Sequence, residues 1–385
     1  MGYEVIGTNL RRLRNASGLT QQQLADAAGL SRMGYRNIEN GKSVPKVGTV
    51  RDLADALEVP IQQLVARVHE IRQVRFRSSK RLRSREQILA DVGRKLGDVR
   101  ALEEALDDSR AFKLAGISKE LSGRGIKRAI AAAAVVREAF GRNKDEPIRD
   151  ICGLLESKGI KVFSYRLASN EFFGLSIGPD DGGPAIVVNT WDRISVERWI
   201  FSAAHELGHL VLHLDAFDVV ETEEDQQQEK EADVFASHFL MPDEVFWKEW
   251  NETFGLPFVH RVLKIKRMFR VSYKTVLYRL SESDIEENVW KLFQNGFCRR
   301  YGRTLGRADE PDGLAPSDYH AGAPEPKRAG EPTRLAAEDF QHDRLWSLVR
   351  RGVEDGHISL SKGAEILDLS LDEMREVTRG WVGSL

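Results

Sequence analysis

Only two cysteines, Cys152 and Cys298, occur in 385 residues. Two thiols exclude a disulfide framework and any metal cage built from several thiolates. No apolar run approaches the roughly 20 residues that a membrane-spanning helix needs. The first residues carry no charged n-region followed by an apolar h-region. The expectation is a soluble chain in a reducing, cytoplasmic compartment with no membrane partner. Charge of one sign is also lacking: 57 Lys and Arg stand against 59 Asp and Glu, a formal net charge of -2. The chain as a whole is therefore no polyanion binder, and any nucleic-acid surface must be local.

What is present is enough apolar sequence, 41% against 30% charged, for ordinary cores in two or three domains. Residues 1–70 read as short helices with tight turns. A hinge "RQVRFRSSKRLRSR" (72–85) follows, with seven basic residues and no acid, and with the helical stretch after it forms a connector over 71–144. From "EPIRDICGLLESKGIKVFSY" the pattern changes. The short β-rich runs "IKVFSYRL", "FFGLSIG" and "PAIVVNT" appear, the last two separated by the turn cluster "GPDDGGP" as in a hairpin. Two amphipathic helices come next, Val196 to His213 and Gln226 to Leu240, within a unit spanning 145–285. Residues 286–338 read as a linker, rich in Gly, Pro, Ala and charge from 302 onward. Residues 339–385 return to helical periodicity, and at that size they are expected to dock on the preceding unit rather than fold alone.

Near the start, "GLTQQQLADAAGLSRMGYRNIENGKSVP" has the grammar of two helices joined by a turn. Thr20 can cap a helix over 21–28, Gly29 supplies the turn, and Ser31 caps a second helix over 32–40, closed by Gly41. Leu24, Ala28, Leu30, Tyr35 and Ile38 then face inward. Arg32, Met33, Arg36 and Asn37 face outward, and Arg and Asn are the side chains that read guanine and adenine in the major groove. The stretches "TQQQLADAAGLS" and "IENGK" make residues 5–66 similar to the XRE family of helix-turn-helix repressors. By that resemblance Arg32, Met33 and Asn37 occupy base-reading positions, Gln21 contacts the DNA backbone and Lys42 a phosphate. The partner implied is double-stranded operator DNA, bound as a homodimer or on paired half-sites. Gly34, inside the second helix, departs from the pattern at about 1 kcal/mol relative to Ala.

"SAAHELGHLVLH" (202–213) raises a second chemistry. His205 and His209, four apart, lie on one helical face and can reach one tetrahedral zinc. Glu206 is placed to take a proton from a water activated by that metal. The competing reading is a core helix with satisfied histidines, but two imidazoles among Ala203, Ala204, Leu207 and Leu210 would be buried at a cost unless each found a partner. His213 stands about 12 Å along the helix from His205, too far to share the metal without a break. Leu212 stands where metzincins have the helix-breaking Gly and Asp215 where they have the third His. No break is expected, which makes Asp215 a poor ligand candidate and His213 a helix-end residue. The third ligand should come from "QQQEKEADVFASHFLMP". There Glu229 lies nearer the apolar stripe than Glu231, and Asp233, one turn on, can accept the outer N–H of a ligating His.

"AAHELGHLVLH" followed by "EKEADVFASHFLMP", with "GLLESKGIKVFSY" and "AIVVN" upstream, resembles the ImmA/IrrE family of zinc metallopeptidases over residues 145–245. The resemblance implies a minimal zincin, a small sheet packed on the H-E-x-x-H helix. It implies Zn2+ on His205, His209 and Glu229, and Glu206 as catalytic base. The fold expected is multidomain, mainly α with α+β: an all-α helix-turn-helix domain, a zincin-like domain and a helical C-terminal region. The function expected is a DNA-binding regulator with zinc-dependent endopeptidase activity on an XRE-type repressor or on itself. The alternative is a zinc-sensing or antitoxin-like transcription factor without turnover.

Overall fold

The computed structural model describes residues 3–65, 71, 73–78, 85–121, 123–141, 146–217, 225–282, 288–315, 318 and 331–381. The chain is mainly helical, with one small mixed sheet.

The first five helices, α1 (Tyr3–Ala16), α2 (Gln21–Ala27), α3 (Arg32–Glu39), α4 (Val47–Ala56) and α5 (Gln62–Val65), enclose a core of Leu10, Leu24, Tyr35, Val50, Leu53 and Leu64. Thr20 caps α2 in a reciprocal capping box with Gln23, and Ser31 caps α3 through the Gly34 N–H. Gly34 therefore sits in the first turn of α3, where the cap already holds its amide, rather than in the helix interior. Leu24, Ala28, Tyr35 and Ile38 are buried as expected, and Leu30 is half-buried. The helices are tied together by Glu39, whose side chain is 2% exposed. It accepts hydrogen bonds from Arg14 Nε at 3.0 Å, Gln21 Nε2 at 3.0 Å and Arg11 Nε at 3.4 Å.

The remaining elements are β1 (Val74–Ser78), α6 (Arg85–Ala105), α7 (Ile117–Glu120), α8 (Gly125–Ala139), α9 (Ile151–Ser157), β2 (Lys161–Tyr165), β3 (Phe172–Ile177), β4 (Ala185–Asn189), α10 (Val196–Leu212), α11 (Gln226–Leu240), α12 (Asp243–Glu252), α13 (Phe258–Phe269), α14 (Tyr273–Ser281), α15 (Val289–Tyr301), α16 (Asp343–Glu354), α17 (Leu360–Ile366) and α18 (Leu371–Trp381). The strand order is β1-β3-β4-β2. β1 and β4 each pair antiparallel with β3, and β2 runs parallel to β4.

β4 is apolar at four successive positions because both faces of the sheet are covered. Ile186 and Val188 pack with Leu207 and Leu210 of α10. Ala185 and Val187 pack with Leu175 and Ile177 on the opposite face. That second face is covered by α6, through Val92, Leu96 and Val99, and by the C-terminal helices, through Leu348, Val349, Ile366 and Met374. The C-terminal region thus docks on the back of the sheet, as its size suggested.

Two readings of the connections are corrected. The basic stretch 72–85 is not a plain hinge: Val74–Ser78 is an edge strand of the sheet, because V-R-F-R alternates apolar and polar residues at the period of a strand. Residues 72 and 79–84 of that stretch lie outside the described residues. The stretch 286–338 is not a plain linker either. α15 buries Phe293 and Phe297 in the main core. Farther on, Arg267 donates to the carbonyls of Leu314 and Glu331, and Arg270 pairs with Glu331 at 2.8 Å and Asp339 at 2.9 Å. Residues 286–287, 316–317 and 319–330 lie outside the described residues.

Burial pushes the Glu39 carboxyl up, but its bonds from Arg14, Tyr35 and Gln21 outweigh this and bring it down to about 2. A carboxyl whose folded value is depressed stabilises above its unfolded value, near 4.5, and that contribution is lost as pH falls toward 2. Glu39→Gln should cost about 2–3 kcal/mol at neutral pH. Its stability difference from wild type should shrink between pH 4.5 and 2. Thermal denaturation of both proteins across that range checks this.

Candidate metal centre and nucleic-acid face

α10 is a buried helix, wedged between the sheet and α11, and every residue from Trp199 to Leu212 is buried. Its contact with α11 is made close by Gly208. A Cβ there would come within 3.0 Å of the Phe235 ring and 3.3 Å of the Ala232 Cα. The first turn of α11, capped by Asp225, is thereby held against the histidines.

His205 and His209 are fully buried, and their Nε2 atoms lie 3.0 Å apart. Glu229 Oε2 is 3.3 Å from His205 Nε2, and its Oε1 is 3.2 Å from His209 Nε2. A tetrahedral zinc with bonds of about 2.0–2.1 Å needs donors roughly 3.3 Å apart. Two imidazole nitrogens and one carboxylate at 3.0–3.3 Å fit that requirement. This is the one group among the described residues whose His, Cys, Asp or Glu atoms converge closely enough to hold a metal. Burial, with His205 beside it, lowers the His209 pKa well below its ordinary value against the opposing bond from Glu229. Burial raises the Glu229 carboxyl, but the bonds from His205 and His209 prevail and hold it well below the carboxylate range. Neutral imidazole and ionised carboxylate are the forms that bind a cation.

The outer ring nitrogens are also held. His205 Nδ1 lies 2.7 Å from Asp233 Oδ1, the arrangement foreseen for that residue. His209 Nδ1 lies 3.0 Å from His213 Nδ1, and His213 Nε2 lies 3.1 Å from Glu231 Oε2. His213 is the C-cap of α10, as expected of a helix-end residue. Burial runs against the helical-wheel reading: Glu231 is buried, at 8% exposure, while Glu229 is half-buried. The difference is the partner: Glu231 meets His213 and the Gln227 amide rather than the paired Nε2 atoms. Asp215 is exposed in a short turn beyond the helix and stands outside the cluster.

Glu206 is 1% exposed, and its Oε2 accepts the Ser176 hydroxyl at 2.8 Å. Gly174, on the same strand, leaves room for it. A Cβ there would meet Val187 O at 2.9 Å and Glu206 Oε1 at 3.2 Å. Arg75 of β1 reaches the same cluster, with Nη2 3.3 Å from Glu229 Oε1 and Nη1 on the Gln228 amide oxygen. Ser176, Gly174, Gly208 and Arg75 were not singled out in the sequence. Of these, Arg75 alone had a local signal, the alternation of β1, which a count of basic residues obscured.

At the other end of the chain, Arg32, Met33 and Arg36 are exposed along α3, with Met33 63% exposed, and Lys42 is exposed just past its end. Asn37 is half-buried, and its carbonyl accepts the N–H groups of Lys42 and Ser43. Gln21 differs from expectation, because its amide donates to Glu39 within the module.

Residues 5–68 match the family described as helix-turn-helix domain, and residues 155–281 the family described as IrrE N-terminal-like domain. HTH-type transcriptional repressor RghR of Bacillus subtilis is 43% identical over 72 residues, 18% of this chain and 53% of its own length. The HTH-type transcriptional regulator y4dJ of Sinorhizobium fredii is 36% identical over 67 residues, 17% of this chain and 87% of its own. The chain belongs to the helix-turn-helix transcriptional regulators and carries an IrrE-like domain. The repressor RstR of a cryptic CTXphi phage in Vibrio cholerae is 37% identical over 62 residues, 16% of this chain and 55% of its own length. The chain spans about half the length of the first of these relatives, RghR. In this regulator the match to the IrrE-like domain takes in β2, β3, β4, α10 and α11, which carry the whole His–His–Glu cluster.

The close approach at Gly208 gives a test of the regulator's architecture. Gly208→Val should force α11 off α10 and lower stability by about 1–3 kcal/mol, the usual range for overpacking. Thermal denaturation of metal-free protein measures this, and an unchanged midpoint would contradict the contact.

Proposed function

We propose that this chain is a transcription regulator that binds operator DNA through residues 1–70 and acts as a zinc-dependent endopeptidase through residues 145–285. Its substrate is a helix-turn-helix repressor or the chain itself. The convergence of His205, His209 and Glu229 at 3.0–3.3 Å, with Glu206 one residue from the first histidine, carries this reading. A bound zinc ion supplies Lewis acidity toward a peptide carbonyl. Asp233 holds the His205 ring with its Nε2 toward the cluster. Glu206 accepts the proton of the attacking water and passes it to the leaving amine. Ser176 fixes the Glu206 carboxylate by donating to its Oε2. Burial of α10 on all sides keeps bulk water away.

At the DNA face, Arg32, Met33, Arg36 and Asn37 lie toward the major groove, while Lys42 and Gln21 serve the backbone. For Gln21 this requires its amide to leave Glu39 or to share it. A homodimer on paired half-sites is the natural binding form. A second reading, a zinc-responsive or antitoxin-like factor without turnover, draws support from Arg75, whose guanidinium already neutralises Glu229.

Metal analysis separates the glutamates: His209→Ala and Glu229→Ala should lose zinc, whereas Glu231→Ala should keep it. Glu206→Gln should retain zinc and DNA binding while cleavage of repressors encoded nearby, or of the chain, falls about 10²–10⁴-fold. Equal cleavage by wild type and this variant would sink the assignment. Cleavage by neither, with DNA binding that follows zinc, would favour the second reading.

On operator DNA, Arg32→Ala or Asn37→Ala should remove about 1–3 kcal/mol of discrimination. Lys42→Ala should weaken all sequences alike. Binding measured against a panel of duplexes distinguishes the two patterns, and indifference to sequence in the wild type would refute base reading.

A further inference from the structure

The strands β2, β3 and β4 belong to the IrrE-like match at residues 155–281, whereas β1 lies far upstream, between the DNA-binding helices and α6. β1 closes the outer edge of β3, the strand that carries Ser176 and Gly174 against Glu206. Arg75 stands directly opposite Ser176, and opposed residues share one face of a sheet. Arg75 therefore points to the α10 side. Its side chain is 10% exposed there, with one nitrogen on Glu229 and another on Gln228. Upstream, Gln73 extends the pairing: its carbonyl accepts the Gly178 N–H at 2.9 Å, and its side chain donates to Asp180 at 2.8 Å. Downstream the register shifts between Arg77 and Ser78, so the ladder is regular over only a few residues.

A strand that merely protected the edge would need charge or twist at its solvent side. It would not need a cation set on the carboxylate of the metal cluster. We propose that the outer edge of β3 is the peptide-docking edge of the site, and that Val74–Ser78 occupies it as an intramolecular stand-in for an extended peptide, anchored by Arg75. This rests on the endopeptidase reading for its purpose but not for its test. The guest that the edge takes is an extended segment with an arginine placed to meet Glu229 and Gln228. Its main chain pairs with β3, in the manner of strand addition. Such a guest must displace β1.

The test uses full-length protein and a fluorescent peptide copying residues 71–81, followed by anisotropy with and without zinc. Arg75→Ala removes the anchor, and Arg75→Pro in addition cannot hold a ladder position. Both should bind the peptide about tenfold more tightly than wild type, a change of about 1.4 kcal/mol in competition. Arg75→Lys, which keeps the charge, should stay near wild type. A peptide with Ala at the arginine position should bind the two opened variants less well. Equal binding by wild type, Arg75→Ala and Arg75→Pro would overturn the proposal, as would equal binding of a scrambled peptide. If no substrate is cleaved but the opened variants still gain affinity, catalysis fails and the docking edge stands. If wild type and Arg75→Ala cleave a substrate equally and bind the peptide equally, the docking edge fails and catalysis stands.

Discussion

The contact between α10 and α11 at Gly208 is the constraint on which the candidate centre depends. Two histidines four residues apart align themselves by helix geometry alone, so they need nothing from the rest of the fold. Glu229 does need it. The carboxylate comes within 3.2–3.3 Å of both imidazoles only because α11 can lie against a glycine, with Ala232 and Phe235 filling the space a side chain would take. Small residues recur where the sheet meets the same helix. Gly174 lets β3 approach Glu206, and the Ser176 hydroxyl then reaches its carboxylate. The cluster is a meeting of three backbones brought close, and its polar groups are satisfied by one another because water is excluded.

What was legible in the sequence is what short-range geometry dictates. The caps at Thr20 and Ser31, the inward residues of α2 and α3, and the His205–His209 spacing all follow from helical periodicity, and the structure agrees with each. Asp233 was found by the same reasoning, one turn on from Glu229. The choice of Glu229 over Glu231 rested on burial, which is the wrong criterion, since both are sheltered and what differs is their partners: Glu229 alone lies with the two Nε2 atoms. The long-range contacts were not legible. Arg75 and Glu229 are 154 residues apart, and nothing in either local pattern announces the other. A run of seven basic residues drew attention to charge and away from the alternation within it. The Gly- and Pro-rich stretch after α15 was misread for a related reason, because composition cannot show that Arg267 and Arg270 tether a chain of that kind.

The sheet couples the parts of the molecule. One face rests on α10 and the cluster. The other rests on α6 and the C-terminal helices, and α6 is also touched by the DNA-binding module through Arg12 and Gln87 at 3.0 Å.

One consequence of β1 belonging to the same chain as β3 concerns reaction order. Pairing within a chain is first order, so its extent does not change when the protein is diluted, whereas any other strand must arrive from solution in a second-order encounter. A covalent connection sets a local concentration that does not fall when the protein is diluted. Lowering the cellular amount of the protein therefore leaves the edge closed. Raising the amount of a competing segment, or pulling on residues at either end of β1, is what shifts the balance.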